Sequence, residues 1–489
     1  MRRTHRIAET DATHAASLMR SIRKTYVLFR RIHLILRNTA QALPPKGPPT
    51  MSSERLAMTQ SRNRVTRLVG LLALPTAAAL VLAGCSGSGS GSGDSGSGDS
   101  GSFTFTFATS NNLESPYETL AKEYMEQHEG VTITTNPTPN DKYGETVRTQ
   151  LQAGNASDVI QTTPGSGDAR GILPLAEAGF LEPLGDTAKN LIIPGSESVY
   201  TIDDKVYGQP LDFTIGAVVA SLGTAKMKGL TDFPTTMSEL TAACSSLQGQ
   251  GASLLALAGA AGPNVGLTIQ GISATRVYSS TPDWNQQRAD GKVTFAGSQG
   301  WKDTLQTFID LKDSGCFQPG AEGGGFDAIT NGLAQGTSVG SFIPSGAAVE
   351  ISKAAPPEAE FAVEPFPAKS GKPMVLGSSN YTLSINAKAK NKQAAEDFLT
   401  WMAEPEQQQR YYELSGELPV SAFDTLDLTG TIYAPVADLL KNKQYTPLPN
   451  NIWPNPAVYE ALQVGGQGLL TGQTSIDQVL QSMDAAWGN

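Results

Sequence analysis

The chain is 489 residues long, 39% hydrophobic, and carries a formal net charge of −10 at pH 7. Residues 1–84 hold 14 Lys/Arg against 3 Asp/Glu, whereas the remainder holds 22 against 43, a net of −21 that repels phosphate backbones and disfavours nucleic acid as a partner. Of four histidines only His128 follows residue 84, near the end of a surface-type helical pattern, so histidine-based catalysis and His-rich zinc sites have little to build on.

Arg62, Arg64 and Arg67 form a short basic patch. A mostly apolar run follows from Leu68 to Leu82, interrupted by Gly70, Pro75 and Thr76, and then Leu82-Ala83-Gly84-Cys85. A basic head, a run of about 15 apolar residues and a small-residue exit describe a secretory leader; a spanning helix needs about 20. The closing tetrapeptide resembles the bacterial lipobox, which implies lipidation of Cys85 and cleavage just before it. A plain leader with a chance cysteine is the alternative. Residues 58–84 are therefore read as the leader. Residues 1–57 precede it, and Met51 and Met58 each offer a start that would put it at the N-terminus, so the extension reads as a mis-assigned start. The alternative is a real basic extension with an amphipathic helix around Tyr26 to Leu36.

Ser86 to Ser102 is Gly, Ser and Asp alone. With Cys85 this makes residues 85–102 a lipidated tether, its seventeen polar residues spanning roughly 23 Å. The folded part opens on the strict alternation Phe103-Thr104-Phe105-Thr106-Phe107, a strand. Ser115 and Pro116 read as N-cap and first residue of a helix whose apolar face is Tyr117, Leu120, Ala121, Tyr124 and Met125, stopped by Gly130. A strand over 131–135, a helix over 141–153 ended by Gly154, and a strand over 158–162 complete a βαβαβ order, the pattern of a parallel sheet covered by helices. Further on, Thr236 and Glu239 fit a capping box ahead of the stripe Leu240, Ala243, Cys244, Leu247. Trp301, Leu305, Phe308 and Ile309 form another stripe, ending at Gly315. Helices are also expected over 391–402 and through Ile476, Val479, Leu480, Met483 and Trp487. The about 400 residues after the leader suffice for two lobes with separate cores. Cys244 and Cys316 remain after Cys85; an even pair in an exported chain favours a disulfide, with two buried thiols as the alternative.

Gly336-Thr337-Ser338-Val339-Gly340 matches G-x-S-x-G, but no histidine follows Ser338 to act as base, so the match reads as chance. No H-E-x-x-H and no G-x-x-x-x-G-K-[ST] occurs, and no cofactor is expected. Carboxylates are plentiful, which keeps a secreted lipoprotein glycosidase using a carboxylate pair as the alternative function.

Several blocks share an order. Ala153-Gly154-Asn155-Ala156-Ser157-Asp158-Val159, Asp204-Lys205-Val206-Tyr207-Gly208-Gln209-Pro210, Pro234-Thr235-Thr236-Met237-Ser238-Glu239-Leu240, Asn391-Lys392-Gln393-Ala394-Ala395 and Glu404-Pro405-Glu406 follow one another. In this order, with the Gly336 to Gly340 segment, they resemble the family 1 extracellular solute-binding proteins, the maltose-binding-like group of ABC importers. Met237 stands where that family often has Trp, and Ala217 to Ser221 replaces its usual Tyr-Tyr-Asn segment. The resemblance implies an α/β, two-lobe periplasmic-binding-protein-like fold with a ligand cleft between the lobes and three hinge crossings, near 212–218, 367–377 and 422–429. Lobe 1 is expected to be residues 103–213 plus 378–425, and lobe 2 residues 214–377 plus 426–489. It further implies a monomer, lipid-anchored on the extracytoplasmic face of the cell membrane. Such a protein captures a small solute, a carbohydrate by expectation, by cleft closure and passes it to ABC permease subunits without catalysis. Sugars need flat apolar faces and hydrogen-bonding groups. The loop residues offering these, and expected to contact ligand, are Asn111, Asn112, Thr163, Asp212, Phe213, Asn264, Phe342, Ser345, Ser378, Asn380, Tyr381 and Trp453.

Overall fold

The computed structural model describes residues 101–109, 115–369 and 373–488. The leader, Cys85, most of the tether, Asn111 and Asn112 lie outside the described residues. Strands are numbered in chain order. The first sheet contains β1 (Phe103–Thr109), β2 (Ile133–Pro139), β3 (Val159–Thr162), β6 (Gln209–Pro210) and β12 (Thr382–Ile385), in the spatial order β2-β1-β3-β12-β6. β1 runs parallel to β2 and β3, as the βαβαβ pattern requires, and β12 is antiparallel to its neighbours. β2 continues past the apolar residues through Pro137 and Pro139 because it is an edge strand, where a missing N–H costs no ladder bond. A small antiparallel hairpin, β4 (Thr201–Ile202) and β5 (Lys205–Val206), lies apart.

The helices form where the local code places them. Pro116–Gln127 starts at Ser115 with a complete capping box to Glu118, and Asn140–Ala153 ends on Gly154 in the left-handed region. These helices and their successors cover both faces of the first sheet. One core holds Phe105, Phe107, Tyr117, Phe398 and Trp401, and the other Tyr143, Val147, Ile160 and Ile172.

The second sheet is organised by one long strand, β7 (Asp212–Ser221), buried along its whole length. It contains also β8 (Ser253–Leu255), β9 (Ser338–Pro344), β10 (Phe361–Glu364), β11 (Val375–Ser378), β13 (Leu418–Pro419) and β14 (Tyr445–Thr446). β7 pairs β13 at Asp212 and Phe213, β11 at Thr214 to Gly216, β9 at Gly216 to Ala220 and β10 at Val218 to Ser221. Its apolar residues read as a continuous run because strands lie on both its edges and cores on both its faces. The capping box at Thr236 and Glu239 and the stripe Leu240, Ala243, Cys244, Leu247 form as expected. Cys244 and Cys316 are joined by a disulfide that ties the helix Met237–Gln248 to the end of Gln299–Asp313.

The chain passes between the sheets three times. It crosses at Leu211 between β6 and β7, at 379–381 between β11 and β12, and at 416–417 between the helix Pro405–Ser415 and β13. The crossings therefore sit at Leu211, 379–381 and 416–417 rather than 212–218, 367–377 and 422–429. Strand pairing decides this: β11 stays in the second sheet up to Ser378, and Leu418 already pairs with Phe213.

Candidate functional site

The three crossings meet around two buried carboxylates. Asp212, the first residue of β7, accepts hydrogen bonds from the Asn380 backbone N–H (2.9 Å), Ser379 Oγ (3.4 Å) and Tyr411 Oη (3.4 Å). Tyr411 Oη also lies 3.3 Å from Tyr117 Oη, so its single proton serves either Asp212 or Tyr117. Glu417 accepts from Thr214 Oγ1 (2.9 Å) and Ser345 Oγ (2.8 Å), while Ser345 Oγ accepts from the Ile215 N–H (3.0 Å). The Tyr433 hydroxyl donates to the Gly416 carbonyl beside it. Burial pushes both carboxyls upward, Asp212 to about 6 against the hydrogen bonds it accepts, and Glu417 to about 8 with the nearby Asp212 charge adding to the effect.

Away from the hinge, the two lobes meet along a seam. On the first-lobe side the loop after β3 doubles back: Thr163 N–H donates to the Arg170 carbonyl, and Ile172 N–H to the Thr163 carbonyl. This turn presents Gly165, Ser166 and Gly167 to the segment Pro449–Trp453 of the second lobe. Ser166 N–H donates to the Asn451 carbonyl (3.3 Å) and Ser166 Oγ to the Trp453 carbonyl (2.6 Å). Arg170 closes the turn. Its guanidinium lies over the rings of Tyr143 (5.4 Å) and Tyr381 (5.1 Å), and it pairs with Asp168 at 3.4 Å. Burial draws the Arg170 pKa down, but Asp168 and the two phenols outweigh it, so the net displacement is upward and the cation is held. Across the seam, burial and the Asp168 charge raise the Tyr459 hydroxyl.

Two side chains on this seam hold buried polar atoms without a protein partner, Thr163 Oγ1 and Asn450 Oδ1, and both amide atoms of Gln270, inside the second lobe, are likewise unpaired. Gln270 lies one turn beyond Gly266 on the helix Gly262–Ser273, and Gly266 faces the Tyr459 ring. An unpaired buried polar atom costs about 1–3 kcal/mol, so such groups are disposed to take hydrogen bonds from a bound polar molecule. No group of three His, Cys, Asp or Glu able to hold a metal ion occurs among the described residues.

The residues singled out from the sequence fall into three sets. Thr163, Asn380 and Tyr381 lie on the seam or the second crossing, and Ser378 Oγ accepts from the Leu448 N–H (3.5 Å) just before the Pro449 segment. Asp212 and Ser345 belong to the buried hinge cluster, where their polar atoms are engaged. Phe213, Asn264, Phe342 and Trp453 are packed inside the second lobe. Phe213 stacks on Phe423 at 3.9 Å, and Phe342 rests on Phe366 at 5.3 Å. Asn264 accepts from the Ala258 N–H and donates to the Phe342 carbonyl, both at 2.9 Å. The Trp453 ring, 0% exposed, is enclosed by Phe295, Trp301 and Tyr459 and donates its N–H to Asn285 Oδ1, so only its carbonyl reaches the seam. Sequence reasoning passed over Glu417, Tyr411, Gln270, Asp168, Arg170 and the two glycines. Gly165-Ser166-Gly167 directly after a strand was an available signal of close backbone approach.

The profile of the bacterial extracellular solute-binding proteins matches residues 107–409, more than half of the chain. The Multiple sugar-binding protein of Streptococcus mutans is 23% identical over 317 residues, covering 62% of this chain and 71% of that one. A solved ABC-transporter solute-binding protein of Thermotoga lettingae, bound with α-D-tagatose, superposes with a TM-score of 0.66 at 18% identity, covering 79% of this chain and all 100% of its own. The solute-binding protein RafE in complex with raffinose superposes at 0.62 with 20% identity, covering 78% and 98%. At such identities the structural likeness speaks for the fold.

Proposed function

Because the chain belongs to the bacterial extracellular solute-binding proteins, we propose that it captures a carbohydrate between its lobes and hands it, chemically unchanged, to the permease subunits of an ABC importer. The observation that carries this reading is the pair of unpaired buried polar atoms, Thr163 Oγ1 and Asn450 Oδ1, on the inter-lobe seam, with the unpaired amide of Gln270 in the second lobe. Hydroxyls are both donors and acceptors and can satisfy a threonine oxygen and both ends of an amide at once. Tyr381, half-buried beside the seam and backed by the Arg170 cation, supplies an aromatic face, and Asn380 adds a polar group at the crossing. Asn111 and Asn112 remain proposed contacts on sequence grounds. Capture requires no nucleophile and no base, which agrees with a binding role and with the binding proteins this chain resembles.

The same reading places the protein on the extracytoplasmic face of the membrane, held by lipid on Cys85 through the Gly/Ser tether of residues 85–102 and acting as a monomer. No helix among the described residues is long and apolar enough to cross a membrane.

A thermal-shift screen of the purified protein against sugars, polyols, amino acids and peptides tests the solute class. A ligand binding only the folded state adds about 2.7 kcal/mol of stability at 100 times its Kd. A sugar that raises Tm and is recovered intact is the expected outcome. A response confined to amino acids or peptides overturns the carbohydrate assignment, and consumption of the sugar overturns the binding-only role.

A further inference from the structure

The seam between the lobes is formed by main chain against main chain at two alternate residues. A Cβ placed on Gly165 would lie 1.7 Å from the Asn451 carbonyl oxygen, and one on Gly167 would lie 1.8 Å from the Asn450 carbonyl oxygen. Real Cβ atoms essentially never come within 3.0 Å of another heavy atom, and here the atoms met are backbone, which cannot swing aside as a side chain can. Gly165 has a φ of +75°, so its identity has a second, local reason. Gly167 has none, since it is not among the glycines of positive φ; only the approach of Asn450 accounts for it. Ser166, between them, makes both hydrogen bonds across the seam, and both acceptors are carbonyls of the facing segment. All of these contacts join protein to protein, and no bridging solute is needed to make them.

We infer that Gly165, Ser166 and Gly167 form a latch that closes the two lobes on each other through solute-independent contacts. They are thus positioning residues for capture: they set the closing equilibrium and the separation between the loop after β3, which carries Thr163, and the segment that carries Asn450. The apparent affinity for solute then depends on the fraction of molecules able to close, so lengthening either glycine weakens binding without removing a ligand contact. The effect on affinity rests on the solute-capture reading; the closing equilibrium does not.

The test is a distance measurement by electron–electron resonance on solute-free protein. Nitroxides are placed through Lys142→Cys and Val464→Cys, exposed positions on opposite sides of the seam, in a Cys85→Ser background. The parent is expected to show a short-distance component. Gly167→Ala should lose at least about nine-tenths of it while melting cooperatively, and Ser166→Ala should reduce it severalfold. In the presence of a sugar that binds the parent, Gly167→Ala should bind at least about tenfold more weakly. A parent with only the long distance, or a Gly167→Ala protein that keeps the short one, overturns the latch. Should Gly167→Ala fail to fold, Ser166→Ala decides, and an unchanged short component overturns it equally. If no sugar binds the parent, the carbohydrate reading fails while the latch is still judged on the solute-free distances.

Discussion

The boundary between the lobes uses opposite chemistry at its two ends. At the hinge, polar side chains converge on two buried carboxylates: Asp212 and Glu417 are engaged by Ser379, Tyr411, Thr214, Ser345 and the Asn380 N–H. At the seam, side chains are largely withdrawn, and Gly165 and Gly167 let backbone meet backbone. The difference follows from what each end must do. A hinge that carries three chain crossings stays in contact in every state, so it can bury groups that would be costly to expose and re-bury. A seam that opens and closes is better built from contacts that water can satisfy on opening, and main-chain carbonyls with one serine hydroxyl meet that requirement.

The largest expected break in this contrast is Glu417→Ala. It leaves the hydroxyls of Thr214 and Ser345 without their acceptor in a buried site and opens a void, and should cost about 2–4 kcal/mol in denaturant unfolding. A loss of only a few tenths would show that the hinge cluster is not under the tension of burial described here.

The pH response should be the next largest. A carboxyl whose native pKa is raised binds its proton more tightly in the native than in the unfolded state. Its stabilising contribution is full below the ordinary carboxylate range and is lost as the coupled Asp212–Glu417 pair ionises on raising the pH toward about 8. Tm should therefore fall between pH 5 and pH 8, and Glu417→Gln, which keeps neutral hydrogen bonding, should flatten most of that slope. A Tm that rises over this interval in the parent protein contradicts the raised values.

The smallest effect on stability is expected at the seam. Ser166→Ala removes one hydrogen bond that solvent can replace and should change unfolding free energy by no more than about 0.5 kcal/mol, even as it shifts the closing equilibrium. A large destabilisation would make the seam a permanent interface like the hinge.

Much of the architecture was legible beforehand. The Ser115 and Thr236 caps, the Gly154 terminus, the alternating Phe103 strand and the buried stripes around Leu240 and Phe398 are set by residues within a turn or two of each other, and the helices formed there. The Cys244–Cys316 pairing followed from count and compartment and is present. Phe213, Phe342 and Trp453 illustrate what was not legible. An aromatic ring in a loop looks the same in sequence whether it faces a cleft or a core; Phe213 and Phe342 are enclosed at the sheet around β7, and Trp453 by Phe295, Trp301 and Tyr459 from segments distant in sequence.

By itself, then, the sequence determined the acidic character of the chain after residue 84, its helix ends and the parallel β1, β2 and β3 of its first sheet, because periodicity, capping and composition are local properties. Only the tertiary structure decided that Asp212 meets Asn380 and Tyr411, and Glu417 meets Thr214 and Ser345, and that Gly167 lies against Asn450. Those partners lie between 72 and 203 positions apart in the hydrogen bonds at the hinge, and the seam joins segments 287 positions apart. Contacts at that range are set by how two sheets share three crossings, and no neighbouring residue records them.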